Sequence, residues 1–333
     1  MPKVSVLVAA YNAAATLGAA LASVQQQSLE DWECLVVDDG STDCTAEIVE
    51  QVAATDARVQ LFRLARGGAV GARNHGIQKC AGEFLAILDA DDHMMPSRLA
   101  RQVEALEAAQ ELTAVGCHVR YEPRSTISDG RLAYEAWLNS QHHAADLRRD
   151  RYIEMPVGHP TLMFRMGFLK CNPYRENAWP EDWDLFQRVL DSGGNIGVVP
   201  EVLHEWNLSD NSLSMQSNSY SHAAFSRCRA HYLAHGFLKG HKHYALIGYG
   251  NTGKELRTEL LFHQKSCQLI FELHPGRIGQ VIEGAPVVHH DALQEHPNQP
   301  ILVSVAGVEA RTYLRKMLTD LGYREERDFI CTA

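Results

Sequence analysis

The sequence has no apolar run long enough to cross a membrane. Its longest apolar segments, such as residues 4–10 and 245–247, have the length of a β-strand, whereas a membrane-spanning helix needs about 20 residues. The first of these segments follows a single lysine, Lys3, and no small-residue cleavage pattern accompanies it. We therefore expect neither an integral membrane span nor a signal peptide.

Basic residues are in the minority. The chain carries 31 Lys and Arg against 41 Asp and Glu, a formal net charge of -10 over 333 residues. Sequence-independent binding of nucleic acid needs a basic face that neutralises phosphates, so we exclude nucleic acid as a partner. A phosphorylated ligand would have to find its positive charge locally, from a metal, a few arginines or backbone N–H groups.

The cysteines form no C-x-x-C pair and are scattered along the chain. In a chain of this size, scattered cysteines are typical of reduced, mostly buried thiols. This pattern predicts a cytoplasmic protein. The eight residues are Cys34, Cys44, Cys80, Cys117, Cys171, Cys228, Cys267 and Cys331.

Strand and helix patterns alternate along the first part of the chain. Near-continuous apolar runs are typical of parallel strands buried on both faces, and helical patterns separate them. This alternation predicts an α/β fold with a mostly parallel sheet, in which ligands bind at the carboxyl ends of the strands. The predicted elements are strands at residues 4–10, 33–37, 59–64 and 84–88 and helices at 13–27, 42–54 and 70–79.

The strand and helix pattern starts again at His241, which predicts a second, smaller α/β domain. We expect a first domain at residues 1–220, a connecting helix or linker at 221–240 and a second domain at 241–333. Residues 207–219 are rich in Ser and Asn, which is typical of a mobile loop or lid.

Acidic clusters fall where the predicted strands end or the next helix begins. Asp38 and Asp39 follow the second strand, residues 89–92 follow the fourth, and Glu181 and Asp182 precede a helix. Carboxylates gathered at one sheet edge repel each other unless a cation lies among them, and Mg²⁺ or Mn²⁺ prefers such oxygen ligands. The alternative is that each cluster is a loop or a helix cap, where Asp is common.

Between these clusters lies a glycine-containing segment, residues 66–76, that leads into a helix. Glycines allow the backbone to approach a ligand closely, and a helix N-terminus offers unpaired N–H groups to an anion. Arg73 could reach a phosphate or a ribose. The alternative is a plain turn between a strand and a helix.

Taken together, these motifs resemble those of the family 2 glycosyltransferases. The resemblance covers roughly residues 3–215 and implies the GT-A fold, with an inverting transfer of a sugar from a nucleotide-diphosphate sugar to an acceptor hydroxyl. A saccharide, a lipid-linked saccharide or a protein could be the acceptor. The segments that carry the resemblance, in the family's order and spacing, are residues 4–12, 36–43, 71–76, 82–92 and 181–185.

The resemblance also implies roles for individual residues. Asp89 and Asp91 match the D-x-D motif that holds Mn²⁺ or Mg²⁺ on the diphosphate, and Asp182 matches the catalytic base. His159, Glu181 and Trp183 are candidates for contacts with the acceptor. The residues matched to the nucleotide-sugar site are Ala9, Ala10, Tyr11, Asp39, Gly68, Arg73, Asp89 and Ala90.

The sequence departs from the family's pattern in three ways. Members often carry a histidine after the base that can complete the metal site, and Ser209 or Asp210 stands there. Arg66 stands where the family often has an asparagine before the glycines. The Gln-x-x-Arg-Trp motif of polymerising enzymes does not occur in the sequence, which favours the addition of a single sugar over polymer synthesis.

Several of the 17 histidines occur in pairs. His231 and His235 lie four residues apart on a predicted helix, a spacing that is compatible with metal binding. No cysteine or carboxylate lies near them in the sequence to complete a tetrahedral set. We therefore interpret the paired histidines as residues of the surface or of a domain boundary.

The second domain contains a glycine pattern typical of dinucleotide-binding turns. Gly248, Gly250 and Gly253 follow a predicted strand and open a helix, and Glu272 ends the next strand. Residues 243–330 resemble the small Rossmann-like domain found before the repeat region of sugar O-acyltransferases. That resemblance leaves three roles open: a nucleotide or nucleotide-sugar site, a structural or homo-oligomeric role, and a nicotinamide cofactor site.

The leading hypothesis is a metal-dependent glycosyltransferase that acts on a surface polysaccharide or glycoconjugate precursor. One alternative is a non-catalytic module that binds a nucleotide sugar. The other is an NAD-dependent oxidoreductase that uses Gly248, Gly250 and Gly253.

Overall fold

The computed structural model describes residues 1–208, 218–273, 275–295 and 299–333. The chain divides into two compact units, each of which is described by itself. The first contains residues 1–147, 156–176 and 184–212, and the second contains residues 148–155, 177–183 and 213–333. Of the predicted mobile loop, residues 209–217 lie outside the described residues, and Ser209 and Asp210 lie among them.

An eight-stranded sheet forms the centre of the first unit. Its strands are β1 (Val4–Ala10), β2 (Trp32–Asp38), β3 (Val59–Arg63), β4 (Phe84–Asp89), β5 (His93–Met94), β6 (Leu112–Glu122), β7 (Met163–Arg165) and β8 (Asn195–Asn207). The helices up to β8 are α1 (Leu17–Gln25), α2 (Thr45–Ala53), α3 (Ala69–Lys79), α4 (Arg98–Ala108), α5 (Asp129–Leu138), α6 (Ala144–Asp150), α7 (Met166–Cys171) and α8 (Glu181–Asp191).

The strand order of this sheet is β3-β2-β1-β4-β7-β6-β8-β5. Strands β1 to β4 are parallel, while β7 runs antiparallel to both of its neighbours. The chain moves outward from β1 to β3 and then returns to place β4 on the other side of β1. The carboxyl ends of β1 and β4 therefore form a topological switch point, the position where open α/β sheets bind ligands.

The central strands form because their apolar side chains cover both faces of the sheet. Val6, Val8, Val36, Ala86 and Leu88 are all fully or almost fully buried in one hydrophobic core. Strands that are buried on both faces read as near-continuous apolar runs. This burial leaves only the strand ends to present polar side chains to a ligand.

The second unit contains a six-stranded sheet of order β11-β12-β10-β9-β13-β14. Helix α9 (His222–His235) precedes the sheet, and only β11 pairs in the antiparallel direction. Strand β9 lies between β10 and β13, so the ends of β9 and β13 form a second switch point. The elements are β9 (His243–Ile247), α10 (Asn251–Phe262), β10 (Ser266–Glu272), β11 (Val281–Ile282), β12 (Ala285–His289), β13 (Ile301–Val303), α11 (Val308–Asp320) and β14 (Phe329–Cys331).

The predicted fold class, α/β with mostly parallel sheets, is confirmed. Six of the eight cysteines are buried, whereas Cys44 and Cys171 are exposed, and all eight are free thiols. Over the stretches of chain that the structure describes, no helix is both long enough and apolar enough to span a bilayer.

Candidate active site

Asp39 lies just beyond the carboxyl end of β2 and is almost completely buried. Its carboxylate accepts hydrogen bonds from the backbone N–H groups of Gly67 and Gly68, at 2.8 and 2.9 Å, and forms an ion pair with Arg66. The segment before α3 is thereby fixed to the end of β2. This arrangement places the predicted residues Asp39 and Gly68 in direct contact.

Arg66 lies over the ring of Tyr11, with 3.4 Å between the guanidinium carbon and the ring centroid. Tyr11 follows β1 and is 43% exposed, whereas the preceding Ala10 is buried. The guanidinium therefore makes a cation–π contact with an aromatic face and a charge-assisted contact with a buried carboxylate at once. An asparagine, which the family often has at this position, could not make these two contacts.

Asp89 and Asp91 lie at the first switch point. Asp89 ends β4, pairs in register with Ala9 of β1, and lies 3.4 Å from the guanidinium of Arg73 on α3. Burial, together with the neighbouring charges of Asp92 and Asp89, raises the pKa of Asp91 to about 7. The residues that the structure describes place no cation within ion-pair distance of the Asp91 carboxylate.

Asp92 belongs to a buried polar network that the sequence did not predict. Its carboxylate accepts a hydrogen bond from His204 Nε2 at 2.9 Å, and His204 Nδ1 lies 2.8 Å from the guanidinium of Arg98. Burial and the nearby Arg98 charge lower the pKa of His204 well below its usual value. A neutral imidazole that donates from Nε2 and accepts at Nδ1 satisfies both partners.

Asn207 ties the end of β8 to the acidic turn. Its backbone N–H donates to the Asp92 carboxylate at 2.8 Å, and its side-chain amide donates to the backbone carbonyl of Asp91 at 2.7 Å. Arg98 also donates to the carbonyls of Ile87 and Pro160. The turn that carries Asp91 is thus held from two sides.

The donor set at this turn fits a hard divalent cation. Asp89 and Asp91 offer carboxylate oxygens, which are the ligands that Mg²⁺ and Mn²⁺ prefer. A cation would also offset the repulsion that raises the pKa of Asp91. Asp92 is fully buried and already bonded to His204 and Asn207, so it is a supporting residue.

His159 is buried, with its Nε2 2.8 Å from the hydroxyl of Tyr174. Burial, together with the charge of Arg73, lowers the pKa of His159 well below its usual value. Asn74 on α3 makes two hydrogen bonds of 2.9 Å to the backbone of Tyr174. His159 therefore helps to position Tyr174 beside Arg73, whose guanidinium lies 5.5 Å from the tyrosine ring centroid.

The first residues of α8 belong to the second unit. Glu181 is buried and accepts a hydrogen bond from the hydroxyl of Tyr220 at 3.1 Å, while Trp183 is fully buried and donates to the carbonyl of Arg151. Asp182 is half-buried and accepts from the backbone N–H of Trp183 at 2.7 Å. The predicted acceptor contacts of Glu181 and Trp183 stay predictions.

The glycine-containing turn of the second unit lies at the second switch point. Gly248 has a φ of +83°, and a Cβ there would lie 2.4 Å from Val305 Cγ2 and 3.1 Å from the carbonyl of Ser304. A Cβ on Gly253 would lie 2.9 Å from the Gly248 carbonyl, whereas Gly250 has open space around it. Close packing of backbone therefore explains two of the three predicted glycines.

Glu272 ends β10 and is paired with Arg277 at 3.3 Å. Arg277 also donates to the carbonyl of Tyr249 at 2.7 Å, which links the end of β10 to the glycine-containing turn. The hydroxyl of Ser304 is buried and has no hydrogen-bond partner among the described residues. The predicted nucleotide site at these residues stays a prediction.

A comparison with protein families matches residues 5–171 to Glycosyl transferase family 2. The glycosyltransferase EpsJ of Bacillus subtilis is 36% identical over 256 residues, which cover 74% of this chain and 72% of EpsJ. The chain belongs to glycosyl transferase family 2. The succinoglycan biosynthesis protein ExoO of Rhizobium meliloti is 32% identical over 64% of this chain, and the match spans 63% of ExoO.

Solved structures of other proteins share the fold. TarS of S. aureus, in complex with UDP-GlcNAc, superposes with a TM-score of 0.57 at 18% identity, over 78% of this chain and 71% of that one. The mannosyltransferase PcManGT of Pyrobaculum calidifontis, in complex with GDP-Man and Mn²⁺, superposes with a TM-score of 0.50 at 22% identity, over 79% and 69%. The large, mostly parallel sheet has the GT-A architecture.

Within this family 2 fold, the structure brings many of the predicted nucleotide and metal residues to one edge of the first sheet. Sequence reasoning missed Asp92, Arg98, His204 and Asn207, although Asp92 stands next to the D-x-D motif. In the sequence, this network is indicated only by a third aspartate after the D-x-D motif, Asp92, and by a histidine in a partly apolar segment, His204. Both signals are too common to have identified it.

Proposed function

We propose that this chain is an inverting, metal-assisted glycosyltransferase that adds a single sugar from a nucleotide-diphosphate sugar. The observation that carries the proposal is the charge at the first switch point. There, Asp89 and Asp91 face the carboxyl edge together with Arg73, and Asp91 has a raised pKa that a cation would relieve. Family membership gives the reaction class, and the finer assignments are our inference.

The proposed donor site combines fixed backbone with two arginines. Asp39, Gly67 and Gly68 hold the segment before α3 in place, and Tyr11 and Arg66 form an exposed stacked pair beside it. Ala9, Ala10 and Ala90 leave room for close approach at the strand ends. Arg73 is positioned to contact phosphate oxygens, and a divalent cation held by Asp89 and Asp91 would neutralise charge on the departing diphosphate.

Asp182 is the proposed general base. Its carboxylate takes the proton of the acceptor hydroxyl as the hydroxyl oxygen forms a bond to the anomeric carbon. The bond between that carbon and the diphosphate oxygen breaks in the same step, so the configuration inverts. The leaving group is already a stable anion, so the protein need not supply an acid. The backbone N–H of Trp183 orients the Asp182 carboxylate.

The relatives suggest which donors and acceptors to test. ExoO is named for succinoglycan biosynthesis, TarS is in complex with UDP-GlcNAc, and PcManGT is in complex with GDP-Man and Mn²⁺. We infer a precursor of a surface polysaccharide or glycoconjugate as the acceptor. A thermal-shift screen of UDP- and GDP-sugars with Mn²⁺ would identify the donor, because a ligand of the folded state raises the melting temperature.

Replacement of the proposed base tests the reaction directly. Asp182→Asn keeps the shape of the side chain but cannot take a proton, so transfer should fall by about 10²–10⁴-fold while donor binding persists. Asp191→Asn, an exposed change at the other end of α8, is the matched control and should retain activity. Unchanged transfer by Asp182→Asn would show that another group accepts the proton.

The same variants separate the enzyme from a non-catalytic binding module. A module that only binds nucleotide sugar would show no transfer in the parent chain and equal donor affinity in Asp182→Asn. An enzyme shows transfer that depends on Asp182 and on the added cation. We expect chelation with EDTA to abolish transfer and added Mn²⁺ to restore it.

We also propose that residues 241–333 form a Rossmann-like domain with its own nucleotide site at Gly248, Gly250, Gly253 and Glu272. The turn at the second switch point and the unsatisfied Ser304 hydroxyl support this proposal. Titration with NADH and with nucleotide sugars tests it, with Glu272→Gln as the variant. Absence of binding at millimolar ligand would leave a structural or oligomeric role for this domain.

A further inference from the structure

Three histidines lie close together in the second unit. All three come much later in the chain than the residues of the first switch point. His231 and His235 lie on α9, and His263 follows α10 directly. One ring nitrogen from each residue lies within 4.8 Å of the others. His263 is 28 positions after His235 in the sequence, so the spacing of the histidine pair gave no indication of this third member.

The rings are arranged as ligands of one ion would be. The centroid distances are 4.5 Å between His231 and His235, 5.7 Å between His231 and His263, and 5.5 Å between His235 and His263. A tetrahedral ion with metal–nitrogen distances near 2.0–2.1 Å needs ligand nitrogens about 3.3 Å apart. Small side-chain rotations are therefore enough to close the site.

One ring is already oriented by a hydrogen bond of the kind that metal-binding histidines make. His235 Nδ1 lies 2.7 Å from the backbone carbonyl of His231. This contact assigns the proton to Nδ1, so Nε2 carries the lone pair. Metal ligands are usually fixed in this way by a carbonyl or carboxylate at the second ring nitrogen. The ring of His231 is also supported, because it packs against Trp179.

The ends of the two helices are held together independently of any ion. Lys265 Nζ donates to the backbone carbonyls of Leu238 and His241, both at 2.8 Å, which joins the segment after α9 to the segment after α10. The ammonium group of Lys265 therefore points to carbonyl oxygens. These two hydrogen bonds fix the position of His263 relative to α9 before any ion binds.

A cleft of about 350 Å³ adjoins the histidines. Its lining includes His235, His263 and Phe262, together with Lys239 and Lys265. An ion held by the three imidazoles would therefore keep a position open to this cleft.

We propose that His231, His235 and His263 bind one first-row transition-metal ion, with Zn²⁺ as the expected occupant and an open fourth position facing the cleft. Imidazole ligands without thiolates suit Zn²⁺, Ni²⁺, Co²⁺ and Cu²⁺, whereas Mg²⁺ and Mn²⁺ prefer carboxylate oxygens. This site is therefore chemically distinct from the one at Asp89 and Asp91. Three histidines also match the ligand pattern of zinc sites that keep one position open, whereas closed structural sites have four protein ligands.

The test is metal binding by the full chain, purified without a histidine tag and freed of metal by chelation. Zn²⁺ is titrated calorimetrically, and Co²⁺ is added as a spectroscopic probe, since tetrahedral Co²⁺ absorbs visible light much more strongly than Co²⁺ in an octahedral carboxylate site. The variants are His263→Gln and the exposed His235→Gln. His241→Gln, at an exposed histidine outside the cluster, is the control.

We expect one Zn²⁺ per chain, the strong Co²⁺ absorption, and a melting temperature that rises with Zn²⁺. Loss of an outer hydrogen-bond partner alone weakens metal binding by about 10–100-fold, so removal of a ligand should weaken it by about 100-fold or more. His263→Gln and His235→Gln should each show that loss and keep the metal-free melting temperature, and His241→Gln should match the parent chain.

Three results would overturn the proposal. One is no Zn²⁺ binding by the parent chain. Another is Zn²⁺ affinity that persists in both variants, and the third is a loss in only one of them, because three ligands act together. Since the readout is metal binding, the result does not depend on whether the glycosyltransferase assignment is correct.

Discussion

In each sheet, a glycine-containing turn that leads into a helix lies at the carboxyl edge that also contains the switch point, and the two switch points differ in charge. At the second, the one carboxylate of the predicted site, Glu272, is paired with Arg277. At the first, Asp39 is paired with Arg66 and Asp89 with Arg73. Two more carboxylates, at positions 91 and 92, lie beside them in the chain.

The carboxylates of Asp91 and Asp92 differ in their cationic partners. Asp92 is connected through His204 to the buried guanidinium of Arg98, whereas Asp91 has no cationic partner in the described parts of the chain. We therefore expect the first switch point, and not the second, to take up a cation from outside. The comparison teaches that a glycine pattern locates a candidate ligand site, while the balance of charge indicates which ligand the site requires.

The largest effect on stability is expected at the buried network behind the first switch point. His204→Ala would leave the buried charged groups of Asp92 and Arg98 without their shared hydrogen-bond partner, which should lower the free energy of unfolding by about 3–5 kcal/mol. The control is His93→Ala, which removes a partly exposed contact with Glu205 and should cost about 0–1 kcal/mol. Urea unfolding of both variants measures the difference. Equal losses would mean that the network is not what holds the acidic turn.

A smaller effect is expected where the backbone passes close to itself. Gly40 has a φ of +73°, and a Cβ there would lie 2.7 Å from the backbone nitrogen of Arg66. Gly40→Ala should therefore lower the free energy of unfolding by about 2–3 kcal/mol. Gly71→Ala, in open space on α3, should instead raise it by about 0.5–1 kcal/mol, because alanine favours a helix. Thermal and urea unfolding of the pair would show whether the signs differ.

The smallest effect is expected from mild acid. His159 and His204 in the first unit have pKa values well below the usual one, so they stay neutral in the folded state. Their unfolded forms take up protons as the pH falls through about 6.5, so each histidine by itself should lower the free energy of unfolding by about 1.4 kcal/mol between pH 7.5 and 5.5. Asp91 acts in the opposite direction, because its pKa of about 7 in the folded state lies above the unfolded value and its carboxyl takes up a proton over the same range. His159→Gln removes one histidine contribution, so acid should cost this variant about 1.4 kcal/mol less than the parent chain.

Hydrogen exchange followed by mass spectrometry would locate the acid sensitivity. After correction for the slower intrinsic amide exchange in acid, we expect the parent chain to lose more protection at pH 5.5 than His159→Gln does in peptides of β4, β6 and β7, and the two chains to agree in β9, β10 and β13. A difference that is uniform along the chain, or an acid-induced loss of stability in His159→Gln equal to that of the parent chain, would contradict the assignment to these buried histidines.

Much of the fold could be predicted from the sequence because its strands are buried on both faces. The runs predicted at residues 4–10 and 84–88 agree within one residue with β1 (Val4–Ala10) and β4 (Phe84–Asp89). The polar region that follows β6, residues 123–150, contains no long uninterrupted apolar run from which its elements could be predicted. In the structure it contains α5 and α6. Their amphipathic patterns are short, and arginines interrupt both.

The residues of the acidic edge could be named in advance because each follows a strand in a recognisable motif. Side chains that meet only through the tertiary fold could not be named. His204 is 112 positions from Asp92, and His263 meets His231 and His235 only because α9 packs on α10. Sequence patterns report neighbours within an element, whereas these clusters depend on which elements the fold brings together.

The central claim is that the first switch point needs an external cation to bind a nucleotide diphosphate. The most direct measurement is calorimetric titration of UDP and GDP into the full chain, with and without Mn²⁺. The parent chain is compared with Asp91→Asn and with Asp31→Asn, an exposed change before β2 at the opposite edge of the same sheet.

We predict that Mn²⁺ strengthens binding of one of the two nucleotides by about tenfold or more in the parent chain and in Asp31→Asn. In Asp91→Asn, that strengthening should be lost. Nucleotide affinity that does not respond to Mn²⁺ in the parent chain, or that responds equally in Asp91→Asn, would contradict the claim.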